Sequence, residues 1–207
     1  MWSRLVLQRR RPLLWVVSGP SGSGKTTLCK MLLRKKYLQV VRSVSVTTRA
    51  LRKGERNKKD YIFVSREDFL RRVRQDEFLE WQETFGNLYG TPKRFIEWSF
   101  RRHKDILLCI DVKGALEIKK KRSAQAVFVF VIAPSETHLM QRIKTRARES
   151  TVEIQNRLRH ARVELSFAKE YDYIVVNNTV SEAVHELEAI IIAKRLENVL
   201  HPARKSN

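Results

Sequence analysis

Acid is what this 207-residue chain lacks most: 22 Asp and Glu face 42 Lys and Arg, a formal charge of +20 at pH 7. A surface of that sign concentrates anions and favours nucleic acid or acidic partners, although many such charges only solvate helix faces. Cysteine is nearly absent. Cys29 and Cys109 are far apart in sequence and set in apolar runs, which suggests no disulfide framework and points to a reducing, cytoplasmic compartment. Long hydrophobic runs are missing too, and stretches such as 126–134 fall far short of a membrane span. No internal repeat or low-complexity tract is present. The five histidines (His103, His138, His160, His185 and His201) form no local arrangement, and none is expected to act in catalysis. The hydrophobic share of 43% suffices for one cored domain, or one domain with an inserted lobe. Residues 1–12 carry Arg4, Arg9, Arg10 and Arg11. With the first core strand expected from about Leu13, they read as a basic arm, not a cleavable leader.

The most specific stretch, GPSGSGKT from Gly19 to Thr26, fits the phosphate-loop pattern G-x-x-x-x-G-K-[ST]. The apolar run 13–17 before it has strand length. After it, Leu28, Met31, Leu32 and Lys35 keep helical spacing, predicting a helix to about Lys36. Gly19, Gly22 and Gly24 let the backbone turn its N–H groups inward, and the positive end of the helix completes an anion site. Lys25 then meets the β- and γ-phosphates of a nucleotide, and the Thr26 hydroxyl holds Mg²⁺. The expected ATP contacts are Gly19, Pro20, Ser21, Gly22, Ser23, Gly24, Lys25, Thr26 and Thr27.

Small polar residues and Val alternate over 43–49, predicting a half-buried strand. Arg49, Arg52, Lys53, Arg56, Lys58 and Lys59 follow, opposed only by Glu55 and Asp60. The cluster is either a solvated loop or a grip on a second phosphate, since a guanidinium fork binds two oxygens at once. Strands are predicted at 61–64 and 78–81, with a helix between them that Ser65 caps and that turns Phe69, Leu70 and Val73 inward. A Gly86-Asn87 turn suits a hairpin over 85–90. Thr91 and Pro92 are expected to cap and open a helix to about His103. The run 106–110 reads as a parallel strand buried on both faces. It ends in Asp111, either a helix cap or a carboxylate where such folds place Mg²⁺. A strand at 127–132, a helix capped by Ser135, a polar break at 146–150, a helix at about 152–169, a strand at 173–176 and a helix at 181–200 complete the pattern. Arg142, Arg146 and Arg157 can face one ligand if the helices meet at that break; otherwise they are solvated surface charges.

The segments Gly19–Thr26, Ser45–Arg49, Arg52–Glu55, Asp60–Tyr61, Glu77–Trp81, Gly86–Thr91, Ile110–Gly114 and Val175–Asn177 together resemble the guanylate kinase family from about Leu13 to Leu196. The first segment is shared by a great many nucleotide-binding proteins, whereas the ordered set is specific. The resemblance implies an α/β P-loop kinase core, a parallel sheet flanked by helices (13–42, 92–134 and 168–200). It adds an inserted mixed α/β GMP-binding lobe (about 43–91) and a helical lid (about 135–167), with a flexible tail at 201–207. The implied reaction moves the γ-phosphoryl group of ATP to GMP, with Mg²⁺. By this resemblance Arg49, Arg52, Tyr61 and Tyr89 grip the GMP phosphate, and Ser45, Glu80 and Thr91 read the guanine. Lys25, Arg142, Arg146 and Arg157 surround the transferred group, and Asp111 lies near the metal and GMP. Monomer and homodimer both stay open.

Chemistry supports the assignment independently. Guanine presents N1–H and a 2-amino group side by side, and one carboxylate such as Glu80 accepts both. Adenine lacks the pair, and a site built on such bonds rejects the wrong base by roughly 10⁴-fold. The chain departs from the family pattern at Cys109, where an acidic residue is common, and at Thr145–Ala147, where the lid often reads Gly-Arg-Gly. It departs again at Lys113, where glutamine is common, and at Leu51, where proline is. A sugar-phosphate kinase of the same fold lacks a use for Glu80, Thr91 and Ser45. A non-catalytic binding module of this family usually has a degraded phosphate loop. No aromatic-basic interleaving marks a single-strand binder, which leaves salt-sensitive, non-specific RNA association as a side property.

Overall fold

The computed structural model describes residues 11–121, 125–146 and 151–200. Most of the basic arm, the break at 147–150 with Arg148, the tail from 201 and the side chain of Arg146 lie outside the described residues.

Leu14–Ser18 (β1) is buried at all five positions because the strand is covered on both faces. Its side chains alternate between two cores. Trp15 and Val17 point to one, with Leu28 and Leu32 of the helix Lys25–Leu32 (α1) and with Val184, Leu187 and Ile191 of the closing helix. Leu14 and Val16 point to the other, with Ile96, Ala115 and Ile118 from two helices on the opposite side. Around β1 lie Val40–Arg42 (β2), Asp105–Cys109 (β7), Ala126–Ile132 (β8) and Tyr173–Val176 (β9), in the order β2-β7-β1-β8-β9, with every pair parallel. Parallel strands place all their carboxyl ends on one edge, where a ligand is expected. The opposite end of β7 is braced by buried Asp105, whose carboxylate accepts from the Leu13 N–H (3.0 Å), Trp15 Nε1 (3.1 Å) and Arg195 Nε (3.0 Å).

A second sheet grows from the chain between β2 and the helix Lys93–Arg101 (α3). Its order is β4-β3-β6-β5, with Val46–Thr47 as β3, Ile62–Phe63 as β4, Phe78–Thr84 as β5 and Asn87–Pro92 as β6. The helix Arg66–Arg74 (α2) covers it, with Phe69 stacked on Phe78 at 4.6 Å between ring centroids. Ser65 caps α2 as predicted, accepting the Asp68 N–H at 3.0 Å. The remaining helices are Val112–Lys120 (α4), Glu136–Arg146 (α5), Thr151–Leu165 (α6) and Val180–Leu200 (α7).

Several local expectations change. The strand read over 43–49 shrinks to β3, because the Ser43 N–H still bonds Leu107 O of the core sheet and the Thr47 hydroxyl already bonds Leu88 O. Helix α1 stops at Leu32, where Arg34 and Lys35 bond three residues back and tighten the end into a turn. The hairpin turn is Phe85-Gly86, not Gly86-Asn87: Thr84 pairs with Asn87, and the two residues between them have φ of 49° and 72°. Thr91 does not cap α3, which begins at Lys93 behind Pro92. It is a strand residue, turned inward to other work.

Candidate active site

At the carboxyl edge of the core sheet, a cavity of about 430 Å³ opens between the two sheets, within the range of small-molecule sites. One wall is the loop after β1. Gly24 opens α1 at φ 92°, and a Cβ there would lie 2.1 Å from Asn177 Nδ2. Only glycine lets the loop fold so closely over Asn177, whose amide donates to Ser23 O at 2.8 Å. Lys25 Nζ donates to the carbonyls of Gly19 (2.9 Å) and Pro20 (3.3 Å), curling the ammonium back over its own loop.

The facing wall comes from the second sheet. Ser45, Arg52, Tyr61, Glu80 and Tyr89 all line the cavity together with Lys25, Thr26, Asp111 and Arg157. Glu80 is 5% exposed and sits on β5 opposite Thr91, past a register irregularity between Phe78 and Glu80. Thr91 donates to Glu80 Oε1 at 2.5 Å. Gly114 of α4 makes the room: a Cβ there would come within 2.6 Å of Glu80 Oε2. Burial pushes the Glu80 carboxyl up to about 7; the Thr91 bond works against this and the nearby Asp111 charge adds to it. Tyr61 meets Tyr89 edge-on at 6.0 Å. Burial raises the Tyr61 phenol to about 12, so it stays a hydrogen-bond donor.

Six of the expected residues stand outside the lining: Pro20, Ser23 and Thr27 of the phosphate-loop stretch, and Thr91, Arg49 and Arg142. Thr91 is fully buried behind Glu80, so it orients the carboxylate. Arg49 lies over the Tyr61 ring at 5.4 Å and is held by both oxygens of Glu55, at 2.8 and 3.0 Å. Arg142 reaches the carbonyls of Ser23 (3.5 Å) and Asn177 (3.0 Å), bracing the phosphate loop. Asp111 does cap α4, accepting the Gly114 N–H at 2.9 Å on Oδ1, while the Thr84 hydroxyl donates to Oδ2 at 2.8 Å.

Sequence reasoning missed Gln82, Thr84 and Phe85 on the hairpin and His160 and Glu164 on α6, all of which line the cavity. A signal for some of them exists. Glu80, Gln82 and Thr84 keep strand alternation, and Arg157, His160 and Glu164 keep helical spacing. Burial lifts Glu164 to about 7, against the pull of Lys25; Asp111 lifts it further and the Ser21 N–H lowers it. The fold also brings Cys29 and Cys109 together as free thiols, with Cys109 Sγ 3.9 Å from Thr26 Oγ1.

A parallel sheet with a phosphate loop after its first strand, faced across a cavity by a second small sheet, defines a P-loop kinase fold. A family model described as guanylate kinase matches residues 9–194. Over 189 residues the chain is 46% identical to the guanylate kinase of Desulfitobacterium hafniense, covering 91% of this chain and 94% of that one. Over 182 residues it is 46% identical to the guanylate kinase of Thermotoga maritima, covering 88% and 87%. The crystal structure of guanylate kinase from Anaplasma phagocytophilum matches with a TM-score of 0.76 at 34% identity, covering 92% of this chain and 90% of that one. The chain belongs to the guanylate kinase family. Among the described residues, no helix is long and apolar enough to cross a membrane.

Proposed function

We propose that this chain transfers the γ-phosphoryl group of ATP to GMP, giving ADP and GDP, for purine nucleotide supply in a reducing cytoplasm. The observation that carries the reading is the buried carboxylate of Glu80, which faces the same cavity as the phosphate loop. Ionised and oriented by Thr91, it accepts both N1–H and the 2-amino group of guanine, with Ser45 beside it. Arg52, Tyr61 and Tyr89 bind the GMP phosphate, and Arg49 joins them by exchanging Glu55 for phosphate oxygens. That phosphate is already an anionic nucleophile, so no general base is required. The protein's work is in-line positioning and neutralisation of charge on the transferred group. Lys25 and Arg157, which line the cavity, surround the transferred group in this reading; Arg142 acts by holding the loop, and Arg146 is assigned to the transferred group by resemblance.

Mg²⁺ keeps several waters and takes one or two protein oxygens beside substrate phosphates. The Thr26 hydroxyl, exposed at the loop, and the Asp111 carboxylate on the cavity wall supply such a set, whereas the thiol of Cys109 is too soft to add to it. Bound with ATP, the ion would offset phosphate charge. Cys109→Asp is therefore expected to shift the Mg²⁺ concentration for half-maximal rate while leaving the KM for GMP within about twofold. A Mg²⁺ titration that superposes on the parent's would remove Cys109 from the metal's surroundings.

The deciding experiment is coupled ADP release with ATP and Mg²⁺ over GMP, dGMP, AMP and ribose phosphates. GMP is expected to exceed AMP by roughly 10⁴-fold in kcat/KM. Faster turnover of a sugar phosphate, or no ATP binding in calorimetry, would overturn the proposal.

A further inference from the structure

The tip of the β5–β6 hairpin crosses the cavity mouth to the helix that carries Arg157. Phe85 sits there at φ 49°, followed by Gly86 at 72°. Positive φ at both central residues is what a two-residue I′ hairpin turn requires, and such turns favour Asn, Asp or Gly there, so a phenylalanine at the first position is an unusual choice. The ring is not tucked into its own lobe, since Phe85 is 54% exposed. It meets the His160 ring edge-on, with centroids 5.2 Å apart and planes at 78°. The Arg157 guanidinium lies 5.6 Å from its centroid. Arg157 and His160 are three residues apart on α6 and share a face, so the two flank the ring together. All three line the cavity.

A ring face is an unusual partner for a phosphate-binding arginine, and a useful one. A cation–π contact orients the guanidinium by attraction to the ring face. Strand β5 carries Glu80 and leads directly into Phe85, so the strand facing the acceptor base also places the aromatic tip.

We propose that Phe85 is a positioning residue, a latch from the acceptor lobe that holds Arg157 and His160 of the lid helix so that the Arg157 guanidinium faces the transferred phosphoryl group. This rests on phosphoryl transfer in the cavity, and not on which monophosphate accepts.

Phe85→Ala is expected to lower kcat about tenfold, with KM for ATP and for the acceptor within about threefold, and Phe85→Tyr to restore kcat. Phe85→Gly suits the left-handed turn better and should show the same loss of kcat at an equal or higher melting temperature, which separates the latch from folding. In an Arg157→Ala background, Phe85→Ala should change kcat less than about twofold, since contacting residues are non-additive. Equal losses in both backgrounds would overturn the latch. The acceptor used is whichever monophosphate the panel identifies, so rejection of GMP leaves this comparison intact; absence of any turnover removes the latch with the reaction. Independently, in the nucleotide-free protein the His160 ring resonances should move in Phe85→Ala and stay in Phe85→Tyr. Resonances unmoved in Phe85→Ala would also overturn the proposal.

Discussion

Glu80→Gln is expected to lower kcat/KM for GMP by about 10³-fold without creating a useful AMP kinase. The amide keeps the side-chain shape but turns an NH₂ toward guanine donors where the carboxylate offered an acceptor. Thr91 loses part of its purpose as well, because its hydroxyl bonds to Oε1 of that carboxylate at 2.5 Å. A pH effect accompanies the substitution. Burial places the Glu80 carboxyl at about 7, and only the ionised form accepts both guanine donors. In the parent, apparent GMP affinity should therefore improve about tenfold between pH 6 and pH 8; in the Gln variant that dependence should flatten.

Stability should move the other way. The folded-state value of Glu80 lies above the unfolded one, so the folded chain holds the proton longer and loses stability as pH rises from about 4 to about 7. At pH 8 the nucleotide-free parent carries that cost in full, and the Gln variant should be more stable by on the order of 1–3 kcal/mol, with the difference shrinking toward pH 4. Steady-state kinetics and thermal melts across pH measure both effects. Parent-like GMP kinetics in the Gln variant would end Glu80's role as the base reader.

Lys25→Ala should reduce kcat by about 10³-fold, in keeping with the loss of a preorganised charge aimed at developing charge in a shielded site. The ammonium lies within hydrogen-bond reach of two loop carbonyls, so it is held over the loop before any nucleotide arrives. The same bonds predict a secondary cost, a looser loop, which a melting curve measures separately. Lys25→Arg should not rescue the rate, because a planar guanidinium fork does not replace a compact ammonium in a loop this closely folded. A fall in kcat of less than tenfold, with the protein folded, would move the transferred charge away from Lys25.

The phosphate loop was legible because its geometry depends on neighbours in the chain: a buried strand, glycines and a helix start within one short stretch. The two-faced burial of β1 and β7 was legible for a similar reason, since an uninterrupted apolar run has no solvent side. Short elements were less so. The strands read at 43–49 and 61–64 are present but shorten to Val46–Thr47 and Ile62–Phe63, because only those residues find partners in the second sheet, and no local pattern marks where pairing stops. Thr91 before Pro92 carries a plausible helix start, yet a buried carboxylate across the strand pair needs a donor more than α3 needs a cap.

What the sequence by itself determined is the set of candidate parts: the phosphate loop, the basic cluster, the carboxylate at position 80 and Asp111 just after its strand. Tertiary structure alone decided which parts meet. It put Arg142 on the carbonyls of Ser23 and Asn177 and Arg157 in the cavity, tied Arg49 to Glu55, and set Phe85 against α6. Local geometry follows from adjacent residues through backbone sterics and burial. Choosing one arginine among many depends on through-space distances of a few ångströms, which only the packing of separate elements sets.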